Sequence, residues 1–147
     1  EVPDPEIPVL TITDLGIVRD VTVNSKVVVA LTPTYTGCPA TEVIEASVVS
    51  ALREHGVEIV AIDRVLSPPW TTDWISEEGR DKLRAYGIAP PDKGGSKREL
   101  LHGERQVACP RCSSTQTCLV SEFGSTACKA SYKCVECLEP FEYFKCI

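Results

Sequence analysis

Apolar and polar positions alternate over the early part of the chain and then change period. Two β-branched runs, near 17–23 and 26–32, flank Asn24-Ser25 in and just before "RDVTVNSKVVVALTPTY". That pattern predicts a β-hairpin. From Ala40 the period lengthens. Ala40, Val43, Ile44, Ala46, Val48, Ala51 and Leu52 recur at helical spacing, while Glu42, Glu45, Arg53 and Glu54 fall on the other face. An amphipathic helix is expected there, ended by Gly56. "VEIVAIDRVL" returns to a strand pattern, and "SPPWTTDWIS" is too rich in proline and polar residues for a regular element. "EEGRDKLRAYG", entered at Ser76 and closed by Gly87, reads as a short helix. The first ten residues, with three prolines, hold at most one helical turn.

The order β-β-α-β-α predicts an α+β fold, a small mixed sheet with helices on one face. A stretch of proline, glycine and charge, "APPDKGGSKRELLHGERQ", then reads as a linker. The expected organisation is a first domain over 1–92, a linker over 93–106 and a small β module over 107–147.

Charge adds a constraint. Net charge is −6 over 147 residues. Residues 1–95 carry 8 Lys/Arg and 15 Asp/Glu, whereas residues 96–147 carry 7 and 6. Neither part is basic enough for strong binding to a phosphate backbone, so proteins or metals are expected as partners rather than nucleic acid. No apolar run approaches the roughly 20 residues that cross a bilayer. No signal-peptide pattern is visible, and the cytoplasm is the expected compartment. There, eight cysteines point to metal or redox chemistry rather than disulfides.

Seven of the eight lie between Cys109 and Cys146. "CPRC" at 109–112 and "CVEC" at 134–137 are two C-x-x-C pairs, the spacing of a four-thiolate zinc ribbon. Each pair lets one tight turn set two sulfurs on one metal. A module of about 40 residues buries too little apolar surface to fold unaided, so the metal supplies stability. Structural Zn on Cys109, Cys112, Cys134 and Cys137 is the expected cofactor, with iron or an Fe–S cluster on the same thiolates as the alternative. Glycine often follows such a pair. Ser113 and Leu138 stand there instead, which strains Leu138. Cys118, Cys128 and Cys146 are either small core residues or extra metal or cluster ligands.

Cys38 stands apart, between Gly37 and Pro39. If Pro39 opens the helix, Cys38 is its N-cap, at the positive end of the helix dipole, where a thiolate is favoured. Ser, Thr, Asp and Asn cap better, so the residue choice suggests a functional thiol. Asp4, Glu6 and Asp73 are the polar residues expected near it. No general base accompanies Cys38, and no Ser-His-Asp arrangement or phosphate loop is present.

"DPEIPVLTITDLGIV" and "TPTYTGCPA" resemble the SufT-like metal–sulfur cluster biosynthetic domain. "SPPWTTDWISEEGRDKLRAYGIAPP" and "CPRCSS…ACKASYKCVECLEPFEYFKCI" resemble the PaaD (PaaJ) family of the phenylacetyl-CoA epoxidase system. The resemblance implies phenylacetate catabolism and a non-catalytic maturation factor. On it, the chain helps insert an Fe–S cluster or iron into the reductase or oxygenase component, with Cys38 as the signature thiol. The alternative is a stable structural subunit of the oxygenase. A homodimer through the exposed hairpin edge is also expected.

Overall fold

The computed structural model describes residues 1–35, 37–94 and 106–145. By packing, the chain divides into two compact units, Glu1–Gly79 and Arg80–Ile147.

In the first unit, β1 (Val18–Val23) and β2 (Val27–Leu31) form the expected antiparallel hairpin. Helix α1 (Ala40–Glu54) then crosses to β3 (Val60–Arg64), which pairs parallel to β2, giving the sheet order β1-β2-β3. Only part of the apolar stripe of α1 is covered. Ala40, Ile44 and Val48 are buried, whereas Val43 and Ala46 are exposed. Gly56, at φ +85, closes the helix. Its N–H donates to the Arg53 carbonyl and that of Val57 to the Leu52 carbonyl, which caps the last turn.

The core of this unit is aliphatic: Ile7, Leu10, Ile12, Leu15, Ile17, Val29 and Leu31 are buried beside Ile44 and Val48. Two carboxylates build the turns that carry it. Asp4 Oδ1 accepts from the N–H groups of Glu6 and Ile7. Asp14 Oδ2 accepts from the N–H and hydroxyl of Thr11, and Asp14 Oδ1 from the Ser76 hydroxyl. Gly16, at φ +66, lies against Trp74. A Cβ there would sit 2.6 Å from the Trp74 carbonyl oxygen. Trp70 is buried, and its indole N–H donates to the Leu15 carbonyl. The segment expected to be irregular contains one 3₁₀ turn, Thr72–Trp74.

Helix α2 (Glu77–Tyr86) begins at Ser76, whose hydroxyl accepts from the Gly79 N–H. Gly87, at φ +87, ends it. The second unit holds a four-stranded sheet. β4 (Ile88–Ala89) pairs parallel to β7 (Pro140–Phe144). β6 (Lys129–Cys134) and β5 (Thr117–Ser121) complete the order β4-β7-β6-β5. The two-residue β4 thus belongs to the tail sheet, and the division by packing precedes the stretch 93–106 read as a linker. Most of that stretch, 95–105, lies outside the described residues. One face of the sheet buries Ala89, Val107, Cys109, Ala130, Tyr132, Cys134, Phe141 and Tyr143. Tyr132 stacks on Phe141 with ring centroids 5.9 Å apart and meets Tyr143 edge-on at 5.7 Å.

No helix among the described residues is long and apolar enough to cross a membrane.

Candidate functional site

Two tight turns bring four sulfurs together. The first lies between Cys109 and Ser114, where the Ser113 N–H donates to the Cys109 carbonyl and the Cys109 N–H to the Ser114 carbonyl. The second is closed by the Cys134 N–H donating to the Glu139 carbonyl, and the Val135 N–H anchors it to Gln116. Both turns need a left-handed residue after their second cysteine, and both take one: Ser113 at φ 62 and Leu138 at φ 63. Arg111 Nη1 bridges the turns to Glu139 Oε2 at 2.5 Å.

The four ligand atoms of Cys109, Cys112, Cys134 and Cys137 lie within 4.8 Å of one another. Cys109 and Cys137 sulfurs are 3.7 Å apart, and those of Cys112 and Cys134 are 3.6 Å apart. A tetrahedron with roughly 2.3 Å Zn–S bonds has edges of about 3.8 Å, so the donor set fits a four-coordinate zinc in type, number and spacing. Cys109 and Cys134 are buried, Cys112 and Cys137 exposed. With four protein ligands and no open position, the site is structural in kind rather than catalytic.

The thiols hold their protons unequally. The Cys137 N–H, donating to the Cys134 sulfur, is the largest influence there. With the Glu136 N–H it outweighs desolvation and brings Cys134 down to about 7. At Cys112 the Ser114 N–H favours the thiolate. Desolvation and the Cys137, Cys134 and Cys109 sulfurs oppose it, and the balance pushes Cys112 up to about 12. Cys137 also moves upward, its Glu139 N–H outweighed by desolvation and the Cys134 and Cys109 sulfurs. Metal binding at neutral pH must therefore displace protons.

Neither Cys118 nor Cys128 belongs to this cluster. Cys118 is exposed on β5, with its thiol 3.6 Å from the Lys133 carbonyl. Cys128 is buried, its sulfur 3.0 Å from Thr126 Oγ1. Cys146 lies outside the described residues.

Cys38 is half-buried in the turn before α1. The expectation that it caps the helix is corrected. Pro39, at φ −66 and ψ −22, occupies the N-cap, and no side chain caps it. The Cys38 N–H donates to the Tyr35 carbonyl and its own carbonyl accepts from the Thr41 N–H, so the backbone of Cys38 is committed to the turn. Proline can be accommodated one position earlier than expected because a helix cap has no need of its N–H. Of the polar residues expected nearby, Asp4 is buried, Glu6 is half-buried, and Asp73 is exposed in the 3₁₀ turn with its N–H bonded to Thr71 Oγ1.

Sequence reasoning missed Thr32. It stands where β2 runs into the cysteine loop and is 1% exposed. Among the described residues its hydroxyl has no hydrogen-bond partner. A threonine in "LTPTYTG" carries no signal of that state.

Two family models match the chain in tandem. One described as "Iron-sulfur cluster assembly protein" covers residues 1–62. One described as "PaaD zinc beta ribbon domain" covers residues 93–145. The molecule is thus of a class that joins an iron–sulfur-assembly-type α+β domain to a zinc β-ribbon. A crystal structure of the DUF59 domain of unknown function from Bacillus anthracis is 31% identical, with a TM-score of 0.53. The match covers 56% of this chain and 80% of that one. A Mycobacterium tuberculosis protein, described as associated with Fe–S complex assembly and repair, is 39% identical over 58% of this chain and 76% of its own, with a TM-score of 0.38. The Escherichia coli (strain K12) protein named as the D-type subunit of 1,2-phenylacetyl-CoA epoxidase is 54% identical over 148 residues. That alignment takes in 100% of this chain and 88% of the relative. The chain belongs to the family of this D-type epoxidase subunit.

Proposed function

We propose that the chain is a non-catalytic maturation factor of a bacterial phenylacetyl-CoA epoxidase in phenylacetate degradation. It assists insertion of an Fe–S cluster or iron into the reductase or oxygenase component. The carrying observation is that the part matched to iron–sulfur assembly proteins holds a cysteine apart from the ribbon, half-buried in the turn before α1. A thiolate is a soft ligand suited to iron. The metal or cluster is cargo on this reading, and Cys38 is its transient ligand. Asp4, Glu6 and Asp73 are the neighbouring polar candidates, and Asp4 also ties the turn that holds Glu6. The zinc on the four tail cysteines is structural, and Cys118, Cys128 and Cys146 are not required for it. The setting is cytoplasmic.

The test is cluster content. The epoxidase reductase, co-expressed with wild type or with Cys38→Ser, is purified and its iron and acid-labile sulfide are measured. A loss of occupancy with Cys38→Ser is expected, and equal occupancy overturns the thiol assignment.

A second reading follows from the name of the relative, which calls it an epoxidase subunit: a stable structural part of the oxygenase. Removing the chain from the assembled complex distinguishes the two. A maturation factor is dispensable once assembly is complete, whereas a structural subunit is not.

A further inference from the structure

The sheet of the first unit ends at β3, which has no second neighbour among the described residues. Beside this free edge runs an open groove of about 740 Å³, between α1 and β3. Ala46, Val49 and Ile62 contribute its apolar floor, and three carboxylates, Glu42, Glu45 and Glu54, outnumber the single cation Arg53 on its rim. The helical residues follow one stripe from position 42 to 54, a length of about 18 Å at the rise of an α-helix. Arg64 holds Glu45 at 2.8 Å, and Ser50 bonds Glu54 at 3.2 Å, so two of the rim carboxylates are fixed. The stripe runs along the polar face of α1, where Ala46 is exposed and Val49 half-buried.

The charge of this unit is one-sided. Glu1–Gly79 carries 4 Lys/Arg against 13 Asp/Glu, a net of −9, whereas Arg80–Ile147 carries 11 against 8, a net of +3. A groove between a helix and a free strand edge is the geometry of strand addition. Main-chain hydrogen bonds to the edge give affinity, and alternate side chains entering the groove give specificity. Ile62 and Arg64 face α1, while Asp63 points to the other side of the sheet. An added strand therefore meets an apolar seat on one face and carboxylates on both.

We infer that the β3–α1 groove binds an extended basic segment of the client protein, added as a strand to β3 with one aliphatic side chain seated on Ala46, Val49 and Ile62. The client here rests on the maturation reading above. The groove lies on the same helix that Cys38 precedes, so a segment held there is recruited to the element next to the thiol.

The experiment uses the full chain with purified epoxidase reductase and oxygenase components. A photo-reactive residue at position 46 reports the contact, hydrogen exchange reports the β3 amides, and titration at two salt concentrations reports affinity. Expected are a cross-link to a basic segment of one component, new protection over Val60–Arg64, and binding weakened by salt. Ala46→Arg combined with Glu42→Lys lowers affinity tenfold or more, and Glu42→Gln lowers it less. Both changed positions are solvent-exposed, and a circular dichroism melt confirms folding. Unchanged affinity of the double variant, a cross-link only to a second copy of this chain, or protection confined to α1 overturns the inference. Cys38→Ser separates the two proposals. Lost cluster content with normal binding by the groove variant removes the groove and leaves the maturation role. Lost binding by the groove variant with full cluster content in Cys38→Ser does the reverse.

Discussion

The two units reach a stable interior by different means. Glu1–Gly79 buries a set of aliphatic side chains and uses its buried carboxylates, Asp4 and Asp14, to tie turns. In Arg80–Ile147, two of the eight residues in the buried cluster of the sheet, Cys109 and Cys134, also belong to the four-thiol group whose spacing fits a metal. The core and the metal site are one object there. The difference separates the four clustered tail thiols from Cys38, which lies in the turn before α1 and outside that cluster.

Chelation breaks the comparison most sharply. Structural zinc in small modules contributes on the order of 10 kcal/mol to folding. A strong chelator is expected to unfold the ribbon, release Tyr132, Phe141 and Tyr143 to solvent, and leave the first unit folded. Near-ultraviolet circular dichroism follows the tyrosines, while the buried Trp70 reports the first unit by fluorescence. Loss of both signals together would show that the first unit depends on the metal too.

Gly16→Ala makes the reciprocal test. Its φ of +66 costs an L-residue about 1–2 kcal/mol. The added Cβ also meets the Trp74 carbonyl oxygen at 2.6 Å, a backbone atom that cannot swing away. The expected loss is about 3 kcal/mol or more for the first unit, with zinc affinity unchanged. A chemical denaturation curve monitored at tryptophan, set beside a zinc competition titration, checks both halves.

These two sites also mark what the sequence discloses. Alternation and helical period located β1, β2, α1 and β3, because each spans several residues with one buried side. The two C-x-x-C pairs disclosed the four-thiol cluster, because metal chemistry asks for that spacing twice. β4 was invisible: two residues joined to β7 across some fifty positions leave no period. The cap was misplaced by one residue, since proline satisfies a cap and a first helical position alike. That Asp4 ties a turn was not legible, because a carboxylate accepting N–H groups has the same sequence signature as one placed for chemistry. The left-handed position of Leu138 was anticipated from the knuckle pattern. That of Gly16 was not, because nothing local says that Trp74 will lie across it.

Leu138→Gly sets the left-handed residue of the ribbon against that of the first unit. Gly16 and Leu138 share almost the same φ, +66 and 63, yet the ribbon keeps a leucine that is 64% exposed. Relieving the strain gains about 1–2 kcal/mol, and the freer unfolded chain takes back about 0.4–1. The net expectation is a gain of roughly 0.5–1 kcal/mol, read as a several-fold tightening of zinc. Weaker zinc binding would mean that Leu138 holds the turn through contacts rather than burdening it.

The smallest effect is fractional, and it tests the unequal thiols. A free thiol takes 9.0, whereas the folded turn, with the Cys137 N–H on its sulfur, brings Cys134 down to about 7. A depressed pKa stabilises the fold above pH 9.0, and that contribution is lost as pH falls through 7. Zinc binding must ionise whatever remains protonated. Cys112 and Cys137, shifted upward, give up protons at either pH 6 or pH 8. Because the ribbon folds only as the metal arrives, Cys134 starts as an unfolded thiol near 9.0 and also gives up a proton at both pH values. Calorimetry in buffers of different ionisation enthalpy should therefore count nearly the same number of protons at pH 6 and pH 8, and apparent zinc affinity should fall steadily as pH drops. A count almost one proton lower at pH 8 would mean that the ribbon keeps its folded turns, and its lowered Cys134, before the metal arrives.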